Sequence, residues 1–218
     1  KIGAYGDLIR VCEEAISIAE EIDQTEDIGI SLFNLAQAYA ETSAPEQAID
    51  FLTAAELKIA KHSSPTEWVS LKLQQIELAR KLGKSQERDI SPIIDTAKNI
   101  YEMRSDWAGI AQVLKEVAGR VYHETDAAKA LEVYEEALSY LKRATTLKTP
   151  DQEAALRHDI ALLCEVHLKD FDKSRENYQQ AVEILRDLEM PEPLSKVLTN
   201  FGSFLAVQGE TNAGVDLI

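Results

Sequence analysis

Apolar residues recur along this chain every three or four positions, in stretches of roughly twelve to twenty residues divided by short polar breaks, which is the period of amphipathic helices. Leu32, Leu35, Ala36 and Tyr39 make one such stripe, and Ala48, Leu52, Ala55 and Ile59 make the next. The breaks carry start signals. Pro45 follows Thr42 and Ser43, Pro65 follows Ser63 and Ser64, Pro92 follows Ser91, and Pro150 precedes Asp151, each placing a proline in a first turn. Gly83 and Gly209 read as stops. The pattern predicts a helix over 5–23 and then pairs at 27–41 and 45–61, 65–82 and 89–103, 106–124 and 126–145, and 151–168 and 171–189. A further helix follows over 192–208, and a last one starts near 211.

These pairs repeat. Short segments built around an alanine recur as CEEAI, TAAEL, DTAKN, YEEAL and YQQAV. Their central alanines are Ala15, Ala55, Ala97, Ala137 and Ala181, spaced by 40, 42, 40 and 44 residues. That is enough chain for two helices and two connections, so the unit is a helical hairpin stacked on its neighbours.

With these residues in place, the chain resembles the tetratricopeptide repeat family. Leu32, Leu35, Ala36 and Tyr39 fit the first helix of its pattern, and Ala48, Leu52 and Ala55 the second. Gly119, Tyr122, Ala130, Tyr134 and Ala137 fit a third repeat with one residue deleted. Leu198, Phe201, Gly202, Leu205 and Gly209 fit the first helix of a fifth. Gly3, Tyr5, Leu8, Ile9, Cys12 and Ala15 look like the second helix of an earlier unit. The second and fourth repeats depart from the pattern: Leu78, Ala79 and Leu82, and Ile160, Leu163, Cys164 and His167, fit only with shorter loops, and Ser174 replaces an alanine. The family's usual unit is about 34 residues, so these are long units, similar to those of kinesin light chains. The resemblance implies an all-α fold, a right-handed α-α superhelix with a concave face lined by the first helices. It implies one domain over residues 1–218: a half-repeat at 3–23, repeats at 27–61, 65–103, 106–145 and 151–189, and a partial repeat at 192–218. With Lys1 first, no initiator methionine and no signal pattern, the chain reads as a piece of a longer array, whose end repeats would self-associate if left uncovered.

Composition supports helices over strands, with 9 glycines and 6 prolines in 218 residues and 45% hydrophobic residues. No apolar run is long enough to span a membrane. A net charge of −15 repels phosphate backbones and anionic lipid, so neither nucleic acid nor membrane is an expected partner. The charge is uneven: residues 1–62 carry 12 acids and 4 bases, whereas residues 72–129 carry 9 acids and 10 bases. Cys12 and Cys164 fall on apolar stripes, which favours buried thiols and a reducing, cytoplasmic setting over a disulfide framework.

Motifs for chemistry are sparse. Leu82, Gly83, Lys84 and Ser85 imitate the end of a phosphate-binding loop, but position 78 is leucine where that loop needs glycine. Cys164 and His167 have a metal-ligand spacing with no second pair near them in sequence, and they fall where a repeat core takes small and flat residues. His62, His123 and His158 are scattered over three repeats. Adjacent carboxylates such as Glu13 with Glu14, Glu20 with Glu21, and Glu135 with Glu136 point about 100° apart on a helix and read as solvated faces. No enzyme constellation, metal site or cofactor is expected from these residues.

The resemblance places one polar position of each first helix in the groove, giving Gln37, Arg80, Arg120, Glu165 and Ser203. Lys84 lies one turn after Arg80, and His123 near Arg120 joins the candidate groove set. Arg80, Lys84 and Arg120 would form a basic patch suited to an acidic peptide or a terminal carboxylate. The expected role is a non-catalytic scaffold binding a peptide or partner helix. The alternative is a sensory or regulatory domain of a larger signalling protein or enzyme, responding to a small ligand or peptide.

Overall fold

A computed structural model describes residues 2–42, 44–59, 64–82, 90–144 and 149–210, leaving aside the side chains of residues 2–4 and Arg80. Gly83, Lys84 and the helix expected from 211 lie outside the described residues. The described residues form helices joined by short turns. They divide into two compact units, Lys1–Ser105 and Asp106–Ile218.

The first unit holds α1 (Ile2–Glu21), α2 (Thr25–Glu41), α3 (Pro45–Glu56), α4 (Pro65–Lys81) and α5 (Ser91–Met103). Each packs on the next in chain order. Pro45, Pro65 and Pro92 stand in the first turns of α3, α4 and α5, where a missing N–H costs nothing. Ala36 of α2 and Ala48, Leu52 and Ala55 of α3 are fully buried, with Leu71 and Leu78 of α4 closing the same core. The fit of Leu78 to the repeat pattern is therefore met by its burial. The side-chain carboxylate of Glu56 on α3 accepts hydrogen bonds from Lys72 and from Gln75 Nε2 of α4, the latter at 3.1 Å. Burial raises the Glu56 carboxyl, but these two donors outweigh it and leave it below the ordinary value.

Helix α3 stops at Glu56, short of the expected 61, yet Ile59 beyond it remains buried. The turn carries Ile59 back over Gly29 of α2. A Cβ at Gly29 would sit 2.7 Å from Ile59 Cγ1, so only glycine admits this approach.

The second unit holds α6 (Trp107–Val117), α7 (Ala127–Arg143), α8 (Pro150–Leu163), α9 (Phe171–Asp187) and α10 (Pro191–Val207). Two π-helical segments, Ala118–Tyr122 and Cys164–Leu168, prolong α6 and α8. Asp106, Asp126 and Asp170 cap α6, α7 and α9, each Oδ1 accepting from a backbone N–H three residues on at 2.8–3.1 Å. Ala130, Ala137 and Ala181 are fully buried at the helix crossings. Ser174, at the alanine position of the fourth repeat, is also fully buried, and its Oγ donates to the Ala161 carbonyl at 2.9 Å. The hydroxyl thus occupies the small site while satisfying itself on the facing helix. Tyr178, Phe201 and Phe204 stack beside it between α9 and α10, with ring centroids 5.2–6.2 Å apart.

The third repeat differs in register from the sequence pattern. Ala118, fully buried, fills the small position next to buried Val117, and Gly119 is exposed. The fourth repeat pairs Leu163 with Cys164 in the same way, also where its π-helical segment begins.

Candidate functional site

Helices α6 and α8 stand where the sequence pattern expects the first helices of two consecutive repeats. They meet directly: Lys115 Nζ of α6 lies 3.4 Å from Asp159 Oδ2 of α8. Alongside this bridge a shallow cavity of about 110 Å³ opens between the two helices. Gln112 and Lys115 of α6 and Asp151, Gln152 and Ala155 of α8 line it. Gln152 Oε1 is buried there, and no described group hydrogen-bonds to it. A buried amide oxygen without a donor costs about 1–3 kcal/mol, so a ligand that brings an N–H to it recovers that loss.

The ends of the same two helices carry three of the polar groups expected in the groove, Arg120, His123 and Glu165. Arg120, in the first π-helical segment, pairs with Glu116 at 3.0 Å. His123 comes directly after that segment, its N–H bonded to the Ala118 carbonyl at 2.9 Å. Glu165, in the second π-helical segment, accepts from the Tyr178 hydroxyl at 2.8 Å. Burial, and then this acceptor, push the Tyr178 phenol well above its ordinary range. Cys164 next to Glu165 is fully buried, and burial pushes its thiol up to about 11, an inert packing thiol. Of the remaining candidates, Gln37 is half-buried on α2 in the other unit, Arg80 belongs to α4, and Lys84 lies outside the described residues. The structure thus brings Arg120, His123 and Glu165 onto neighbouring helix ends and leaves the grouping of Arg80 with Lys84 undescribed.

Two features were missed by reading motifs along the chain. One is Gln152, which carries no signal beyond being polar in a first helix. The other is a cluster of His123, Glu124 and His167, whose ligand atoms lie within 4.8 Å of one another. The repeat itself held the signal: His123 and His167 stand one repeat period apart, near the ends of consecutive first helices.

Within each unit, helices packed on one another in chain order, with small residues at their crossings, define an all-α helical-repeat fold. A comparable structure is known. The crystal structure of BtubC (BKLC) from P. vanneervenii matches with a TM-score of 0.67 at 16% sequence identity, covering 99% of this chain and 88% of that one. At that identity the likeness speaks to the fold. No family model matches the sequence, and no curated protein does. Among the described residues no helix is long and apolar enough to cross a membrane.

Proposed function

We propose that the protein is a non-catalytic interaction scaffold that binds a peptide segment or partner helix along its first helices. The observation that carries this reading is the cavity between α6 and α8, with a buried, unpartnered Gln152 oxygen on its wall. A peptide backbone N–H is the donor such an acceptor lacks. Arg120, His123 and Glu165 extend the proposed binding row within the second unit, and Gln37, Arg80 and Lys84 are the corresponding candidates of the first. Its basic members favour an acidic segment or a C-terminal carboxylate, for which Arg120 must exchange Glu116 for the ligand.

Calorimetry against acidic and basic peptides, each with a free or amidated C-terminus, tests the proposal. Acidic peptides with free carboxylates are expected to bind best. Gln152→Leu and Arg120→Ala should each weaken them, the latter by about 1.5–3 kcal/mol for a lost charge-assisted contact. Glu132→Ala on exposed α7 should leave affinity alone. Binding of basic peptides only, or unchanged affinity in both variants, would refute it.

A further inference from the structure

His123 and His167 meet edge to face across the ends of α6 and α8, with ring centroids 4.9 Å apart and planes at 83°. Glu124 stands beside them, its Oε1 4.0 Å from His167 Nε2. We propose that His123, Glu124 and His167 bind a divalent transition-metal ion of the zinc type. This reading shares His123 with the proposed peptide row but does not rest on it, because its ligand is an inorganic cation and its residues lie at the helix ends, outside the lining of the α6–α8 cavity.

The donor set is the first argument. Two imidazole nitrogens and one carboxylate oxygen suit zinc, cobalt or nickel, and do not suit calcium or magnesium, which take oxygen ligands throughout. Three protein donors also leave a fourth position for water or an outside ligand.

Reach is the second. Tetrahedral donors about 2.1 Å from zinc stand about 3.4 Å from one another, so donors now within 4.8 Å need a modest closure. Glu124 can supply its own share of it, closing from the 4.0 Å between its Oε1 and His167 Nε2. Its side chain is 81% exposed and free of tight packing, whereas His167 at 25% is held more firmly by its surroundings. The half-buried rings would act as the fixed pair and the carboxylate as the closing arm.

Helix geometry is the third. Each histidine lies at or just after a π-helical segment, and one extra residue in a helical turn rotates every later side chain by about 100°. The two segments turn the ends of consecutive first helices together. Nearby cations are directed elsewhere: Lys169 Nζ donates to the Glu165 carbonyl at 3.3 Å, and Arg120 pairs with Glu116.

The test uses the whole chain, stripped with chelator, at about 0.15 M salt and with excess magnesium to suppress loose binding to an acidic surface. Zinc is titrated by calorimetry, and cobalt by its visible absorption. The expected result is one ion per chain, with the intense cobalt bands of a tetrahedral site. His123→Ala and His167→Ala should each weaken zinc by at least about tenfold, since even outer-shell partners of a metal contribute that much. Glu124→Gln should also weaken it, and His62→Ala should not. Ring-proton NMR of the unmutated chain provides a reading that needs no variant: the His123 and His167 signals should shift with zinc, and that of His158 should not. Uptake displaced by magnesium, several weak ions per chain, affinity indifferent to His123 and His167, or no uptake at a tenfold excess of zinc would each overturn the proposal and leave an ordinary ring contact.

Discussion

Ala48, Ala55, Ala130, Ala137 and Ala181 end at Cβ, and all five are fully buried, which lets paired helices approach closely without a cavity between them. Ser174 shows that the requirement is size and satisfied polarity, not alanine itself. His158 of α8 is a different kind of buried residue: only 6% exposed, its Nε2 lies 2.9 Å from Asn200 Nδ2 of α10. Burial lowers its proton affinity. Asp159 pulls the other way, and Lys196 and Lys115 add to the lowering. The unfolded chain takes up this proton near the ordinary value of about 6.5, while the folded chain resists it to lower pH. Its contribution to stability is therefore complete above about pH 6.5 and lost as pH falls below that value toward the lowered folded one. Thermal melts should show the unmodified protein losing more stability between neutral pH and the onset of carboxylate titration than His158→Gln, which cannot titrate. Parallel pH profiles would show that burial of His158 is not coupled to protonation.

Among the described residues, helix ends are made largely without glycine. Asp23, Ser105, Lys169 and Glu189 all take left-handed backbone conformations, with φ between 53° and 57°, at the ends of helical stretches. After α9, the N–H of Glu189 bonds the Arg186 carbonyl at 3.0 Å, and that of Met190 bonds Leu185 at 3.1 Å. After α10 the same arrangement is made with Gly209 at φ 84°. A side chain in this conformation costs roughly 1–2 kcal/mol, part of which glycine gives back through its freer unfolded chain. Exposed Glu189→Gly should therefore stabilise the protein by about 1 kcal/mol in urea unfolding, with an unchanged slope. A loss of stability would mean that the Glu189 side chain does more than end the helix. Such stops are hard to see in sequence, because no residue type marks them, and the π-helical segments leave no local mark at all.

At the scale of the whole molecule, the charge of −15 and the exposed apolar face of the first unit act in opposite directions. Ile18 of α1 and Ile22 in the turn after it are 54% and 59% exposed, and with Ala15, Ala19 and Ile30 they line an open groove. Burying such a face against a second copy is favourable, while like charge resists it at low salt. Light scattering should find concentration-dependent association that grows as salt is added. It should be abolished by Ile18→Lys with Ile22→Lys. A mass independent of concentration and salt, or association that survives both substitutions, would remove this face from consideration.

The sequence by itself determined the helices and the small residues at their crossings. Ala15, Ala55, Ala97, Ala137 and Ala181 mark one position in each repeat; the last four are fully buried, while Ala15 on α1 is half-buried. Amphipathic period and small crossing residues are properties of short stretches, so they survive reading without coordinates. The register near Gly119, the turn that carries Ile59 over Gly29, the lone acceptor of Gln152 and the meeting of His123, Glu124 and His167 were decided only by the tertiary structure. Each depends on how far a helix end rotates before the next element begins. A single residue added to a turn redirects every side chain after it, and it is packing against the neighbouring repeat that sets where that residue is accommodated.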